Sequence, residues 1–140
     1  MATVALIQRL FRVLTYQPGA DLHGLEQQIY DNFFEALEEA YNHTVQTAKS
    51  LEEYLTAHHP APDVVICAPL AEEGNPAPGL AEIRRFRSTF PNTPLIVWST
   101  RQEKSLRDTC LKDLGCAAYY TGTLLAAPDE LPALIAEVLT

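Results

Sequence analysis

Two side chains in the sequence could serve as nucleophiles. Ser99 follows the apolar run 94–98, and Cys67 lies near the end of the apolar run 63–68. A hydroxyl or a thiol attacks a substrate only when a neighbouring base or positive charge activates it. Neither residue is accompanied by a histidine or an acid in a catalytic pattern. We therefore expect that the chain is not an enzyme and that Cys67 packs as a small apolar side chain.

The histidines and acids could ligate a metal, but their spacing argues against it. His58 and His59 are adjacent, so on a helix their side chains diverge by about 100° and cannot chelate one ion together. His23 and His43 have no partner at a ligand spacing. Asp21 is better placed to cap a helix. The sequence therefore predicts neither a metal nor another cofactor.

Composition excludes several classes of protein. The chain has 140 residues and a formal net charge of -8, which is unsuited to a module that neutralises nucleic-acid phosphates. No apolar run is long enough to span a membrane, and the first residues lack the basic segment of a signal peptide. Three cysteines without a C-x-x-C spacing are typical of free thiols in a reducing compartment. We expect one cytoplasmic domain that contacts neither nucleic acid nor membrane by itself.

Hydrophobic periodicity predicts strands that alternate with helices. Short, continuously apolar runs are typical of strands covered on both faces, and this alternation indicates a parallel sheet between two layers of helices. The predicted strands cover 10–17, 44–48, 63–68, 94–98 and 117–121. The predicted helices follow Asp21, begin at the capping box Ser50–Glu53, and cover 80–90, 103–114 and about 131–139.

The order of these segments resembles the receiver domain of two-component response regulators, the CheY-like, flavodoxin-like family. This resemblance implies an α/β fold in three layers, doubly wound, with a five-stranded parallel sheet in the order 2-1-3-4-5. It places the domain at 10–140 and leaves 1–9 as an N-terminal extension. The segments that carry the resemblance are 45–55, 62–68, 79–87, 92–100 and 114–119.

The resemblance also implies where a phosphorylation pocket would lie, and this chain lacks most of its groups. A working receiver needs an acidic pair after the first strand, a phosphoryl-accepting Asp after the third and a Lys after the fifth. These groups hold Mg²⁺ and neutralise the charge of the phosphoryl group. The aligned residues here are Gln17, Ala68 and Gly122, whereas Ser99 retains the hydroxyl position after the fourth strand and Tyr119 the switch aromatic.

Three nearby acids do not restore the pocket. Asp63 begins the third strand, so it lies roughly 16 Å from Ala68. Glu72 and Glu73 belong to the following loop, where solvated loop acids are the ordinary interpretation. The sequence therefore predicts a pseudo-receiver that is not phosphorylated.

Pseudo-receivers typically act as docking or dimerisation modules, and the charge pattern suggests where. Residues 1–82 carry three basic and twelve acidic side chains, whereas 83–140 carry seven basic and six acidic ones. We expect an interaction face on the fourth helix, fifth strand and fifth helix, meeting an acidic protein surface or a second copy of the chain. Two alternatives stay open, a sensor of a small quinone-like ligand and the N-terminal wing domain of a larger oligomeric enzyme. The residues expected on the face are Arg101, Lys104, Arg107, Lys112 and Tyr119.

Overall fold

Five short parallel strands form the centre of the molecule. The computed structural model describes residues 3–7, 32–48, 51–58, 60–67, 77–99, 102–122 and 129–139. The strands are β1 Thr3–Ile7, β2 Thr44–Ala48, β3 Val64–Cys67, β4 Leu95–Trp98 and β5 Ala118–Tyr120. The helices are α1 at 32–39, α2 Leu51–Thr56, α3 Ala77–Thr89, α4 Lys104–Asp108 with a π-helical continuation at Thr109–Asp113, and α5 Glu130–Leu139.

The sheet has the order β2-β1-β3-β4-β5, and every pair of neighbouring strands is parallel. All side chains of β3 and β4 are buried, which explains why their sequences are continuously apolar rather than alternating. The predicted fold class and strand order are therefore confirmed.

The two faces of the sheet pack into separate cores. Because side chains alternate along a strand, Val65 and Cys67 of β3 enter one core while Val64 and Ile66 enter the other. The first core also contains the buried residues of α2, α3 and α4, and the second contains those of α1 and α5. This arrangement gives the three layers.

The position of the first strand corrects a prediction. We expected this strand at 10–17 and an extension at 1–9, but β1 is Thr3–Ile7, in the interior of the sheet between β2 and β3. The predicted segment was favoured because its apolar centre, Val13 and Leu14, is followed by the turn residues Pro18 and Gly19. The short run Thr3–Ile7 forms the strand instead because it pairs on both edges. Residues 8–31 lie outside the part of the chain that the structure describes.

The fourth helix changes its winding before it ends. Within 103–114, where one continuous α-helix was expected, residues 109–113 form a π-helix, and the amide of Leu114 bonds to the carbonyl of Thr109. The wider turn still leaves Cys110 and Leu114 buried in the core. Gly115 then adopts φ 66°, the left-handed conformation that commonly ends a helix at glycine.

Candidate functional site

The carboxyl ends of the strands converge on one edge of the sheet, where ligands bind in folds of this kind. Ile7 pairs with Cys67, Cys67 with Val97, and Trp98 with Tyr120, so four strands end there in register. The backbone amide of Ser99 donates a 2.9 Å hydrogen bond to the carbonyl of Tyr120 and continues the pairing past the end of β4.

The position of β1 changes which residues belong to this edge. Gln17, which we aligned with the acidic pair, lies outside the described residues, and β1 ends ten positions earlier, at Ile7. In the sequence, Ile7 is followed by Gln8 and Arg9, an amide and a cation in place of two carboxylates. The alignment of Gln17 with the acidic pair is therefore wrong, although the lack of acids after the first strand is unchanged.

The other two pocket positions carry small residues. Ala68 directly follows Cys67, the last residue of β3, but lies outside the described residues. Gly122 lies two residues beyond the end of β5. Ser99 follows β4 as expected, and its side chain is only 1% exposed. Asp63 is at the opposite end of β3, where its Oδ2 accepts a 2.6 Å hydrogen bond from the amide of Thr3.

An aromatic ring occupies the space that a side chain at position 122 would take. A Cβ built on Gly122 would stand 2.6 Å from Cζ of Tyr120 and would also collide with its hydroxyl oxygen. The indole N–H of Trp98 donates a 2.9 Å hydrogen bond to the carbonyl of Gly122. Trp98 also packs against Tyr120, with ring centroids 6.1 Å apart, and against Phe33 of α1 at 6.3 Å. The α1/α5 side of the edge is thus filled with aromatic rings.

The hydroxyl of Tyr120 is in an unusual environment. It is buried beside the carboxylate of Glu130, the first residue of α5. Burial, followed by the negative charge of Glu130 and a hydrogen bond to its carboxylate, raises the pKa of Tyr120 to about 12. The carboxylate of Glu130 is thus near enough to act on the phenol by its charge. The phenol is neutral throughout the physiological range.

Tyr119 lies on the other side of the sheet. Its side chain is 8% exposed and packs in the core formed with α2, α3 and α4. Tyr119 and Tyr120 are consecutive in β5, so their side chains point to opposite faces. A displacement of one therefore affects the other through the backbone.

The charges of the expected interaction face are more mixed than the sequence suggested. Lys104, Arg107 and Lys112 are exposed on α4 and its continuation, whereas Arg101 lies outside the described residues. The acids of the same stretch are Glu103, Asp108 and Asp113. On α5 and just before it, the exposed charged residues are Asp129, Glu130 and Glu137, all acidic. The described part of the face thus combines a mixed α4 with an acidic α5.

The three cysteines are free and buried on the same side of the sheet. Burial raises the pKa of Cys110 to about 11 and that of Cys116 to about 12, and raises the pKa of the fully buried Cys67 well above its ordinary value. Thiolates are therefore scarce at neutral pH. Cys67 has the environment expected of an apolar packing residue rather than a nucleophile.

Glu82 is a buried acid whose place the sequence analysis did not predict. Its side chain is 3% exposed, and Oε1 accepts hydrogen bonds from the amides of Leu51 and Glu52, at 2.5 and 3.2 Å. We expected α2 to begin with a capping box between Ser50 and Glu53, and Ser50 lies outside the described residues. Among the described residues, a carboxylate from α3 accepts hydrogen bonds from the first two amides of α2. The one available signal was an acid within the apolar stripe of α3, next to Ile83.

No group of three or more His, Cys, Asp or Glu side chains among the described residues is arranged to hold a metal ion. Within that same part of the chain, no helix has both the length and the apolar character needed to cross a membrane. His23 and His59 lie outside the described residues.

His43 stacks on Tyr41, with ring centroids 5.9 Å apart and an interplanar angle of 14°.

Comparisons with known proteins establish the fold. No family model matches the sequence, and no curated protein matches it. Among solved structures, the non-phosphorylated HemR receiver domain from Leptospira biflexa is similar with a TM-score of 0.71 at 16% identity, over 100% of this chain and 95% of that chain. A response regulator from Thermotoga maritima gives 0.67 at 22% identity, over 99% and 98%. The chemotaxis response regulator CheY4 of Vibrio cholerae gives 0.65 at 17% identity, over 99% and 98%.

Proposed function

We propose that the chain is a pseudo-receiver, a receiver-like module that works in signal transduction without being phosphorylated. The observation that carries this proposal is Ala68, the residue that follows β3, where receivers have the phosphoryl-accepting Asp. A methyl group can neither accept a phosphoryl group nor ligate a metal. Gly122 supports the proposal as well, because it offers no ammonium group to neutralise a phosphoryl group.

Phosphate transfer is tested directly with a small phosphodonor. The protein is incubated with acetyl phosphate and Mg²⁺, and its intact mass is followed beside an active receiver that shows the donor is working. We expect no mass increase for this chain and a phosphoryl adduct on the active receiver. A stoichiometric, acid-stable and base-labile adduct on this chain would contradict the proposal.

The module would act through the surface formed by α4, β5 and α5, which we name the α4–β5–α5 face. It presents the exposed bases Lys104, Arg107 and Lys112, interspersed with three acids of the same stretch, on one side and an acidic α5 on the other. Such a surface is complementary to itself, because a two-fold axis would bring α4 of one copy toward α5 of the next. This favours a second copy of the chain as the partner over an unrelated acidic protein.

A matched pair of charge reversals tests this surface. Arg107→Glu changes an exposed base on α4, and Arg84→Glu makes the same change on α3, away from the face. We expect sedimentation velocity to show a concentration-dependent dimer for wild type and for Arg84→Glu, and about a tenfold weaker dimer for Arg107→Glu. Equal dimerisation by both variants would overturn the assignment to this face.

A wild-type protein that remains monomeric would rule out the second copy and leave the acidic partner. In that case, quantitative affinity capture with the wild type and both variants should recover a protein that Arg107→Glu loses and Arg84→Glu keeps. Rate measurements with that protein should then show a slower association for Arg107→Glu, because rim charges act mainly on the encounter. Association rates that are the same for the two variants would contradict the proposal.

A further inference from the structure

We infer that Trp98, Tyr120 and Gly122 form a latch that holds the carboxyl ends of β4 and β5 in one arrangement, so that the α4–β5–α5 face is presented constitutively. The inference rests on the proposed function for what the face does. It adds that the face is not gated by an internal conformational change. We refer to these three residues as the β4–β5 latch.

The first element of the latch is steric. The ring of Tyr120 lies where a side chain at position 122 would begin, with Cζ 2.6 Å from a built Cβ. Only glycine can follow Tyr120 at this spacing without moving the ring or the backbone. Because Tyr120 is 6% exposed and packed among the residues of α1 and α5, its ring has little room to move aside.

The second element consists of two hydrogen bonds across the strand ends. The amide of Ser99 donates to the carbonyl of Tyr120, and the indole of Trp98 donates to the carbonyl of Gly122, both at 2.9 Å. The donor residues are buried, with Ser99 1% and Trp98 4% exposed, whereas the acceptor Gly122 is half-buried. The end of β5 and the residues after it are therefore bonded to the end of β4 at two carbonyls, those of Tyr120 and Gly122.

The third element links the latch to the α4–β5–α5 face. Tyr119 precedes Tyr120 in β5 and points to the α4 side, where it is buried with Leu106 and Cys110. With Tyr120 fixed on one face of the sheet, the backbone that carries Tyr119 is fixed on the other. The latch thus holds β5, the central element of the α4–β5–α5 face, in the position that buries Tyr119.

The test inserts a methyl group into the latch. In Gly122→Ala, the new Cβ collides with Tyr120, so we expect the amide of Ser99 to exchange with solvent about tenfold faster than in wild type. Trp98 is the only tryptophan of the chain, so its emission reports on the same opening and should shift to longer wavelength. Line broadening on the microsecond-to-millisecond scale at Ser99 and Tyr119 is expected in the variant and not in wild type.

Gly115→Ala is the matched control. Gly115 has φ 66° and lies before β5, so alanine there strains the backbone without entering the latch. It should lower the overall stability while leaving the emission of Trp98 and the line widths of Ser99 and Tyr119 as in wild type. If Gly115→Ala changes these signals as much as Gly122→Ala does, they reflect general destabilisation and the latch is refuted.

Two further variants keep the test decisive if Gly122→Ala folds poorly. Tyr120→Val removes the colliding ring, so adding Gly122→Ala to it should change Ser99 exchange by less than twofold, a strong departure from additivity. Trp98→Phe removes the indole N–H together with part of the ring, and it should by itself accelerate exchange at Ser99. The latch would be refuted if the effects of Tyr120→Val and Gly122→Ala on Ser99 exchange were additive. It would also be refuted if Trp98→Phe left the exchange rate of Ser99 unchanged.

The latch and the proposed function can fail separately. If Gly122→Ala opens β5 but dimer formation or partner binding is as strong as in wild type, the latch exists and does not control the face, which contradicts the inference alone. If Arg107→Glu leaves binding unchanged, the assignment of binding to the α4–β5–α5 face is wrong, independently of the latch. Microsecond-to-millisecond broadening at Tyr119 in the wild-type protein would contradict a single arrangement outright.

Discussion

Glu82 of α3 accepts a 2.5 Å hydrogen bond from the backbone amide of Leu51, the first residue of α2. Two helices are thereby joined by a carboxylate that is 3% exposed. The exposed pair between Arg85 and Glu52, at 3.0 Å, joins the same two helices at the surface. A surface pair of this kind contributes little to stability, so the buried carboxylate is the stronger of the two connections.

Removing this carboxylate should destabilise the protein measurably. Glu82→Ala leaves two amides at the start of α2 without their acceptor, and we expect a loss of about 2 kcal/mol in the free energy of unfolding. Glu82→Gln retains one acceptor oxygen and should lose less. Urea unfolding measures both, with Glu38→Ala, which changes an exposed acid on α1, as the control. A loss below about 0.5 kcal/mol for Glu82→Ala would show that the cap is dispensable.

His43 should make the stability depend on mildly acidic pH. Its two ring nitrogens are buried without a hydrogen-bond partner among the described residues, and burial lowers the pKa of His43 below 6.5. The unfolded chain therefore binds a proton more readily than the folded one. This contribution to stability is complete above about pH 6.5 and is lost as the pH falls toward the folded pKa.

The pH effect is measured by comparing unfolding of the wild type and His43→Leu between neutral and mildly acidic pH. Leucine cannot be protonated, so the difference in stability between the two proteins should shift in favour of His43→Leu as the pH falls. A difference that is constant with pH would mean that His43 titrates alike in the folded and unfolded chains.

The end of α2 offers a stabilising substitution. His58 has φ 57°, a left-handed conformation that is unfavourable for a residue with a Cβ. His58→Gly should raise the free energy of unfolding by about 1 kcal/mol. Asn42, with φ 56°, is the internal comparison, since asparagine tolerates this conformation and Asn42→Gly should gain less. Equal gains in thermal unfolding, or a loss for His58→Gly, would contradict this account.

The thiols should be unreactive in the folded protein. Cys67, Cys110 and Cys116 are buried, and burial raises the pKa of each, so both access and thiolate content are low. With a thiol reagent at pH 8 we expect slow modification under native conditions and three equivalents in denaturant. The native rate should follow the stability of variants such as Glu82→Ala. Rapid reaction of one thiol in the native protein would identify an open path to it.

The sequence predicted four of the five strands within one or two residues because short continuous apolar runs such as Leu95–Trp98 are typical of strands buried on both faces. It failed at β1, where pairing with strands far along the chain decided between two apolar segments. The family resemblance put Ser99 after the fourth strand and Gly122 after the fifth, and in the structure they follow β4 and β5. The ring of Tyr120 over Gly122 and the cap by Glu82 could not be predicted, since each depends on side-chain packing between residues that no short-range pattern relates.

The position of β1 has a consequence for how the protein folds. Thr3 pairs with Thr44 and Val4 with Val64, so β1 is synthesised before both of its neighbours, which lie far along the chain. The pairing of β1 with β3 cannot form until Val64 has been synthesised, and the closure of such long loops slows folding. During synthesis the apolar segment Thr3–Ile7 remains unpaired until β2 and β3 have been made, so we expect a chaperone to bind it in this interval.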